Sequence, residues 1–231
     1  MVRLAVHSSI QDVAAILQAA AVLGPDGWGG RPSHDRNRMN QSAEPNLPRD
    51  LLDLFSLLRD RKVRYLLVGG VAMLRYVEGR NTEDIDLVLS PKSLAALPEI
   101  VVGDQDRDFA RGNFRGVRID VLLTTNTLFR LVAQKHATIH RFREIDVRCA
   151  TVDGLLLLKL YALPPLYRRG DGQRIALYEA DMTMLMQRHR PLMDPIFKVL
   201  ESRLDPCALA ELRSIVADIE QRIARMDQAK R

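Results

Sequence analysis

Apolar and polar residues alternate along this chain in patterns that predict a small sheet domain followed by helices. Apolar residues recur at helical spacing over 51–58 and predict a first helix. A short apolar run over 64–68 ends in two glycines, which predicts a buried strand and a tight turn. A helix is predicted over 71–77, and polar and apolar residues alternate over 84–89, which predicts a second strand.

Two further strands are predicted at 117–123 and 144–150. We therefore expect residues 49–150 to form a small mixed α/β sheet domain. Residues 151–231 are expected to form a helical C-terminal domain. The fold class predicted from the sequence is thus α/β in the broad sense, of the α+β type.

The residues after 150 are typical of helices. A helix from Leu155 is expected to end at Pro164-Pro165, because proline lacks a backbone donor. Asp171 is predicted to cap a helix to about residue 187, and Asp-Pro pairs at 194 and 205 are predicted to open two more. The last helix carries an apolar seam of heptad type, formed by Leu209, Leu212, Val216, Ile219, Ile223 and Met226. This seam predicts either packing on the chain's own helices or a homo-oligomer formed through the C-terminal helix.

Residues 1–48 follow a different pattern. One amphipathic helix is predicted over 8–23, and the stretch over 24–48 is rich in glycine, proline and polar residues, as linkers are. We interpret 1–48 as an N-terminal extension. Its first 38 residues, which precede Met39, are either a dispensable extension, an artefact of where translation is assumed to start, or a docked functional arm.

Composition narrows the class of protein. Of 231 residues, 47% are hydrophobic and 27% are charged, which is typical of a folded globular chain. The 34 basic and 29 acidic side chains give a net charge of +5, which favours anionic partners. No apolar run reaches the roughly 18 residues of a transmembrane helix, so no membrane partner is expected. Two cysteines are too few for a disulfide framework and favour a cytoplasmic location.

The sharpest chemical signal is the pair of acids in Asp84-Ile85-Asp86-Leu87. Residues two apart on a strand face the same side of a sheet, so Asp84 and Asp86 are expected to stand side by side. Two carboxylates so close repel each other, and a divalent cation removes that conflict. Oxygen ligands of this kind suit Mg²⁺ or Mn²⁺. Asp120 lies between apolar residues of the strand over 117–123 and can join the pair as a ligand or as the base for an attacking hydroxyl.

A pair of glycines precedes these acids, with thirteen residues between Gly70 and Asp84. Gly69 and Gly70 let backbone amides approach an anion closely at the start of the following helix. Together with the acids they predict a site for a metal-bound polyphosphate.

These motifs resemble the signature of the DNA polymerase β-like nucleotidyltransferase superfamily. The residues that carry the resemblance are Gly69-Gly70, Asp84-x-Asp86 and Asp120. The family often has serine after the first glycine, whereas Gly70 offers its backbone alone. The resemblance covers about residues 50–190 and implies that a nucleoside triphosphate (NTP) is held between the sheet and the helices.

The C-terminal half resembles one branch of that superfamily. Lys159 is followed 22 residues later by Asp181, each within a predicted helix. This spacing is similar to that of the AbiEii/MenT-like toxin nucleotidyltransferases of type IV toxin–antitoxin systems. The resemblance implies that Lys159 and Asp181 complete a catalytic site opposite the metal-binding acids.

Other polar residues are candidates for substrate contacts. Arg80 and Thr82, in the loop before the acids, are expected to touch the triphosphate. A basic face is the candidate surface for an RNA backbone, and it comprises Arg107, Arg111, Arg115, Arg118, Lys135, His136, His140, Arg141 and Arg143.

The resemblance implies metal-dependent transfer of a nucleoside monophosphate from an NTP to a hydroxyl of RNA, such as a tRNA end, or of a protein. In biological terms it implies the toxin of a toxin–antitoxin or phage-defence pair, with a cognate antitoxin as partner. One alternative is a transferase for a small acceptor such as an aminoglycoside. Another is a non-catalytic nucleotide- or RNA-binding protein that kept the fold.

Overall fold

The structure is a computed structural model. It describes residues 47–78, 82, 84–142 and 144–229. The helix predicted over 8–23, and the predicted linker up to residue 46, lie outside the described residues. None of the helices in the described ranges is both long and apolar enough to cross a lipid bilayer.

Within the described ranges, seven strands form one mixed sheet in the order β3-β4-β5-β2-β1-β7-β6. β1 pairs antiparallel with β2 and parallel with β7, and β2 pairs parallel with β5. The strands are β1 Tyr65–Val68, β2 Asp84–Leu89, β3 Val101–Gln105, β4 Phe109–Phe114, β5 Val117–Leu123, β6 Ala137–Phe142 and β7 Ile145–Ala150.

The helices of the described ranges precede, interrupt and follow this sheet. The first four are α1 Leu47–Asp60, α2 Gly69–Met73, α3 Pro91–Ala95 and α4 Thr127–Lys135. The C-terminal four are α5 Val152–Arg169, α6 Gly172–His189, α7 Met193–Leu200 and α8 Pro206–Gln228. α5 packs against β7 and against α4, α6, α7 and α8, which makes it the link between the sheet and the helices.

A single apolar core runs from the sheet into the helices. Leu54, Leu58, Ile85 and Leu160 are among its fully buried members. Over 84–87 of β2 and 117–121 of β5 the apolar residues alternate with polar ones, so these parts of the strands bury one face and turn polar side chains to the other. The mixed α/β sheet followed by helices agrees with the predicted fold class. The division into domains at residues 48 and 150 stays a prediction.

Strands β2 and β5 begin and end where the alternation predicts them, and α6 begins after its predicted cap. The side chain of Asp171 accepts a hydrogen bond from the backbone N–H of Arg174. The predicted helix over 71–77 is shorter and lies earlier, as α2, since Gly69 itself opens it. α1 begins at Leu47, within the stretch predicted to be linker.

The prediction that α5 ends at Pro164-Pro165 is wrong. The helix continues through both prolines to Arg169 and ends at Gly170, whose φ of 67° is left-handed. The prolines remove two helical N–H donors, but Leu163, Pro164 and Leu166 are buried. Because proline's fixed φ is compatible with a helix, the burial of this apolar face outweighs the two missing hydrogen bonds.

The apolar seam of α8 packs within the same chain. Leu212, Val216, Ile219 and Ile223 are buried, and α8 lies against α5 and α6. Met226 remains 38% exposed at the end of the seam. Most of the predicted oligomer surface is therefore occupied by the chain's own helices.

Candidate active site

The three predicted acids lie on two neighbouring strands. β2 and β5 run in parallel with Asp86 opposite Asp120 and with Asp84 opposite Arg118. Because side chains two apart share a face, Asp84, Asp86 and Asp120 all project from the same face of the sheet. The strand pairing thus brings together residues that are separated by more than thirty positions in the chain.

The backbone of the glycine pair at the β1–α2 turn lies directly against these acids. Gly69 has a φ of +64°, and a Cβ there would lie 1.8 Å from Oδ2 of Asp86. No side chain fits this position, since such a contact is impossible and the backbone is left-handed. Gly69 is therefore required by geometry, because the Asp86 carboxylate rests directly on its backbone.

Gly70 contacts both acids of β2, one directly and one through Thr82. Its backbone N–H donates a hydrogen bond to the Asp86 carboxylate. A Cβ on Gly70 would lie 2.4 Å from Oγ1 of Thr82. The Thr82 hydroxyl donates in turn to Asp84, at 3.1 Å from Oδ1 and 3.3 Å from the backbone oxygen. Thr82 thus fills the space beside Gly70 that a side chain at residue 70 would need.

The electrostatics of Asp86 reflect this crowding. Burial, followed by the charges of Asp84 and Asp120, raises the pKa of the carboxyl from 3.8 to about 6. The ammonium of Lys159 and the N–H of Gly70 act in the opposite direction. Three carboxylates so close to one another repel each other, and nearby positive charge relieves this repulsion in a way that hydrogen bonds alone do not.

Two arginines supply part of this positive charge. Arg118 on β5 forms an ion pair with Oδ2 of Asp84 through Nη2, and its Nε lies 3.7 Å from Oδ2 of Asp120. Arg111 on β4 donates through Nε to Oδ1 of Asp120 at 3.2 Å. Partial burial acts to lower the pKa of Arg118, but Asp84, followed by Asp120 and Asp86, raises it overall.

The second predicted pair lies in the helices. Nζ of Lys159 on α5 donates to Oδ2 of Asp181 on α6 at 2.6 Å. The side chain of Lys159 is 8% exposed and that of Asp181 is fully buried. The structure thus brings these two residues into direct contact, as two partners of a buried ion pair.

Tyr178 connects this pair to the acids of the sheet. The Lys159 ammonium lies 4.4 Å from the centre of its ring, a cation–π distance. Burial raises the pKa of Tyr178, and the nearby charges of Asp86, Asp181 and Asp84 add to the effect. Since Asp86 interacts electrostatically with both Lys159 and Tyr178, the helical pair and the sheet acids belong to one charged neighbourhood.

The remaining predicted residues are distributed differently. Arg80 and Arg143 lie outside the described residues. The predicted basic face does not form one surface, because β6, which carries His140, is the edge strand farthest from β3 and β4. Arg115 pairs with Asp53 of α1, while Arg111 and Arg118 pair with the site acids. The sequence pattern grouped these residues by spacing, whereas the sheet separates them.

The donor set fits a hard divalent cation in its chemistry. Asp84, Asp86 and Asp120 offer carboxylate oxygens, and the raised pKa of Asp86 reflects its burial first and the charges of the other two acids second. In the described part of the chain, no three acidic, histidine or cysteine side chains are already gathered closely enough to hold a metal ion. The oxygens of Asp84 and Asp120 are directed towards Thr82, Arg111 and Arg118 instead.

Sequence reasoning missed Arg111 and Arg118 as parts of the site. Because Arg118 precedes Asp120 by two residues on one strand, the alternation of side chains along a strand predicts that the two share a face. Arg111 lies opposite Asp120 only through the β4–β5 pairing, and β4 was not predicted.

No protein-family model matches the chain, and no curated protein matches it significantly. Among solved structures, it is similar to an antigenic nucleotidyltransferase-like protein from Paracoccidioides brasiliensis, with a TM-score of 0.52 and 17% identity. The match covers 78% of this chain and 90% of that one. The fold is nucleotidyltransferase-like.

The antibiotic-resistance factor ANT(2'')-Ia is a weaker match. Its solution structure gives a TM-score of 0.47 at 14% identity, covering 79% of this chain and 95% of that one. Its crystal structure with adenylyl-2''-tobramycin gives a TM-score of 0.46 at 12% identity, over 76% and 98% of the two chains. At these identities the likeness concerns the fold alone.

Proposed function

We propose that this chain is a metal-dependent nucleotidyltransferase that moves a nucleoside monophosphate from an NTP to a hydroxyl of RNA, with a tRNA-like end as the expected acceptor. One observation carries the proposal: three carboxylates share one sheet face, and the Gly69-Gly70 turn is packed directly against them. Neither feature is required for a stable sheet, since burying like charges together costs free energy.

Asp84, Asp86 and Asp120 would hold Mg²⁺ or Mn²⁺. The bound cation supplies Lewis-acid stabilisation of the charge on the phosphates. Asp120 is the candidate base that takes the proton of the acceptor hydroxyl as its oxygen bonds to the α-phosphorus. The bond between the α-phosphorus and the bridging oxygen to the β-phosphate breaks, and pyrophosphate leaves with the electron pair.

Residues on both sides of the acids would bind the phosphates. Gly69 and Gly70 keep the β1–α2 turn free of side chains, so that a phosphate can approach the backbone closely. Thr82 and Arg80 precede the acids, and we assign them to the triphosphate as well. Lys159, held by Asp181, offers a buried positive charge near Asp86 that would stabilise the developing charge on pyrophosphate.

The rim of the site favours a polyanionic acceptor over a cationic one. Arg111 and Arg118 flank the acids with side chains that are 58% and 53% exposed. Both guanidinium groups are ion-paired with the site acids; once a bound cation compensates those acids, the arginines would attract phosphate and repel polycations such as aminoglycosides. In biological terms we propose the toxin of a toxin–antitoxin or phage-defence pair, as in the AbiEii/MenT-like branch. A protein hydroxyl is the other acceptor to be tested.

The test is transfer of label from each of the four α-³²P NTPs, with Mg²⁺ or Mn²⁺, to total tRNA, to protein or to an aminoglycoside. We expect labelled RNA with the wild type and loss of labelling with Asp86→Asn. Asp53→Asn is the matched control, since Asp53 pairs with Arg115 instead of contributing to the site. Label in protein or aminoglycoside alone would reject the RNA acceptor. Labelling that survives Asp86→Asn would reject the mechanism.

The toxin role has its own test. Expression of the chain should arrest growth, and the product of a neighbouring reading frame should relieve the arrest. Growth that is unaffected by the wild type under induction would contradict the toxin role, while leaving the transferase chemistry to the labelling experiment.

A further inference from the structure

Both oxygens of the Asp84 carboxylate already have partners. Oδ1 accepts a hydrogen bond from the Thr82 hydroxyl at 3.1 Å, and Oδ2 forms an ion pair with Nη2 of Arg118. A metal ion that uses Asp84 must therefore share or replace one of these two contacts, because each occupies one of its oxygens.

Arg118 also reaches the acid on its own strand. Its Nε lies 3.7 Å from Oδ2 of Asp120, so that a single guanidinium spans two of the three candidate ligands. The planar fork of arginine suits such bridging of carboxylates. Arg118 thus provides part of the positive charge that these acids require.

The two partners of Asp84 differ in how firmly they are held. Thr82 is 9% exposed and lies against Gly70, so its hydroxyl is held beside Asp84 within a buried side chain. The side chain of Arg118 is 53% exposed and lies on the open face of β5. Its long side chain can rotate into solvent without disturbing the core, because its neighbours Val117 and Ile119 face the other way.

We propose that Arg118 is an internal counter-ion that competes with the divalent metal for Asp84 and Asp120 and is displaced when the metal binds. Thr82 has the opposite role, since it holds Asp84 in the orientation that a metal would use. The proposal rests on the proposed metal-dependent function of this site. It predicts opposite effects on metal affinity for the two side chains that share one carboxylate.

The first experiment is Mn²⁺ titration of the purified full chain by calorimetry, without nucleotide. We expect Arg118→Gln to bind Mn²⁺ about fivefold more tightly than the wild type, the scale of a partly exposed ion pair. Thr82→Val, which has the same shape without the hydroxyl, should bind Mn²⁺ more weakly. Arg115→Gln is the control, because it removes a nearby arginine that pairs with Asp53 instead, and it should match the wild type.

Arg118→Lys separates direct competition from a general effect of charge. Lysine keeps the positive charge but offers one compact ammonium, which cannot bridge two carboxylates as a guanidinium does. Competition by contact predicts that Arg118→Lys also binds Mn²⁺ more tightly than the wild type, though less than Arg118→Gln. Wild-type affinity in Arg118→Lys, or unchanged or weaker binding in Arg118→Gln, would overturn the proposal.

A second measurement needs no variant at Arg118. Modification of arginines by phenylglyoxal, located by mass spectrometry, should become faster at Arg118 as Mn²⁺ is added. Arg190, which pairs with Asp227 away from the site, serves as the internal reference. Labelling of Arg118 that is unchanged or slowed by Mn²⁺ would contradict displacement.

The outcomes also separate this inference from the proposed function. If the wild type does not bind Mn²⁺, or if Asp86→Asn does not abolish the binding, both the inference and the proposed function are wrong. If Mn²⁺ binds and Arg118 responds as expected but no acceptor is labelled, the transferase proposal fails and the competition stands.

Discussion

Two groups of ion-paired side chains, one on the sheet and one in the helices, differ in how far they are exposed to water. Asp84 and Asp120 are 24% and 21% exposed and face an arginine that is half exposed. Lys159 and Asp181 are almost completely buried and contact each other at 2.6 Å. Water screens the first group, so its partners can exchange, whereas the second has no solvent to replace a missing partner.

This difference indicates that the helical pair keeps its partners, whereas the carboxylates of the sheet group can exchange theirs. Replacing one member of a buried pair removes the main counter-ion of the other in a poorly polar interior. Replacing a half-exposed arginine leaves carboxylates that water and cations can still solvate. The following predictions test this contrast, beginning with the largest expected effect.

Asp181→Ala should lower the free energy of unfolding by about 3–5 kcal/mol, since it leaves the Lys159 ammonium buried with its main counter-ion removed. Urea unfolding followed by circular dichroism measures this change. Adding Lys159→Met to Asp181→Ala should recover part of the loss. Glu201→Ala breaks the exposed pair with Arg213 and is expected to cost less than about 1 kcal/mol. Equal losses in Asp181→Ala and Glu201→Ala would contradict the contrast.

Gly69→Ala should cost about 3 kcal/mol, because the added Cβ meets the Asp86 carboxylate and the backbone is left-handed. Thermal unfolding and Mn²⁺ binding should both be impaired. The matched control is Gly172→Ala at the start of α6, where a Cβ meets nothing within 4 Å. That control should change stability by less than about 0.5 kcal/mol. A tolerated Gly69→Ala would mean that the turn is not packed on Asp86 in solution.

The third prediction concerns the pH dependence caused by Asp86. Its pKa is raised from 3.8 to about 6, so between these values the folded protein keeps a proton that the unfolded chain has released. The free energy of unfolding should therefore fall as the pH rises through this window, by about 3 kcal/mol. Urea unfolding between pH 4 and 7 with a chelator present measures the change relative to Asp86→Asn. Parallel curves for the two proteins would refute the burial of a repelled carboxylate.

The smallest effects are expected at the arginines of β5 and its turn. Without added metal, Arg118→Gln should cost about 1 kcal/mol and Arg115→Gln about 0.5 kcal/mol or less, as half-exposed pairs do. Thermal unfolding with and without Mn²⁺ should show that the metal removes the deficit of Arg118→Gln alone. If Arg118→Gln lost more stability than Asp181→Ala, the sheet group and not the helical pair would depend more strongly on its ion pairs.

The fold was predictable where one face of an element is buried. Polar and apolar residues alternate along β2 and β5 because each packs one side on the core, and both strands lie at their predicted positions. β3 was missed because all five of its residues are exposed, so no apolar alternation marks it. β4 was missed as well, since Gly112 and Asn113 interrupt its apolar pattern.

The prediction at Pro164-Pro165 failed for a different reason. Local propensity favours an end to the helix there, and the sequence carries no sign of what lies around it. The interior around Leu163 and Leu166 decides the outcome, because burying that face stabilises α5 beyond the prolines. A local rule was thus overridden by tertiary packing.

The chemical groups of the site can be read from the amino-acid sequence: two acids on one strand face, a third on a later strand, a glycine pair, and a lysine and aspartate at helical positions. These features follow from the geometry of single helices and strands. Tertiary packing is what places Asp86 opposite Asp120, Gly69 against Asp86, and Lys159 against Asp181. It also places Arg118 and Thr82 on the same carboxylate, that of Asp84. Such contacts arise when distant segments pack, and the local pattern of a segment shows which face is buried but not which other segment it contacts.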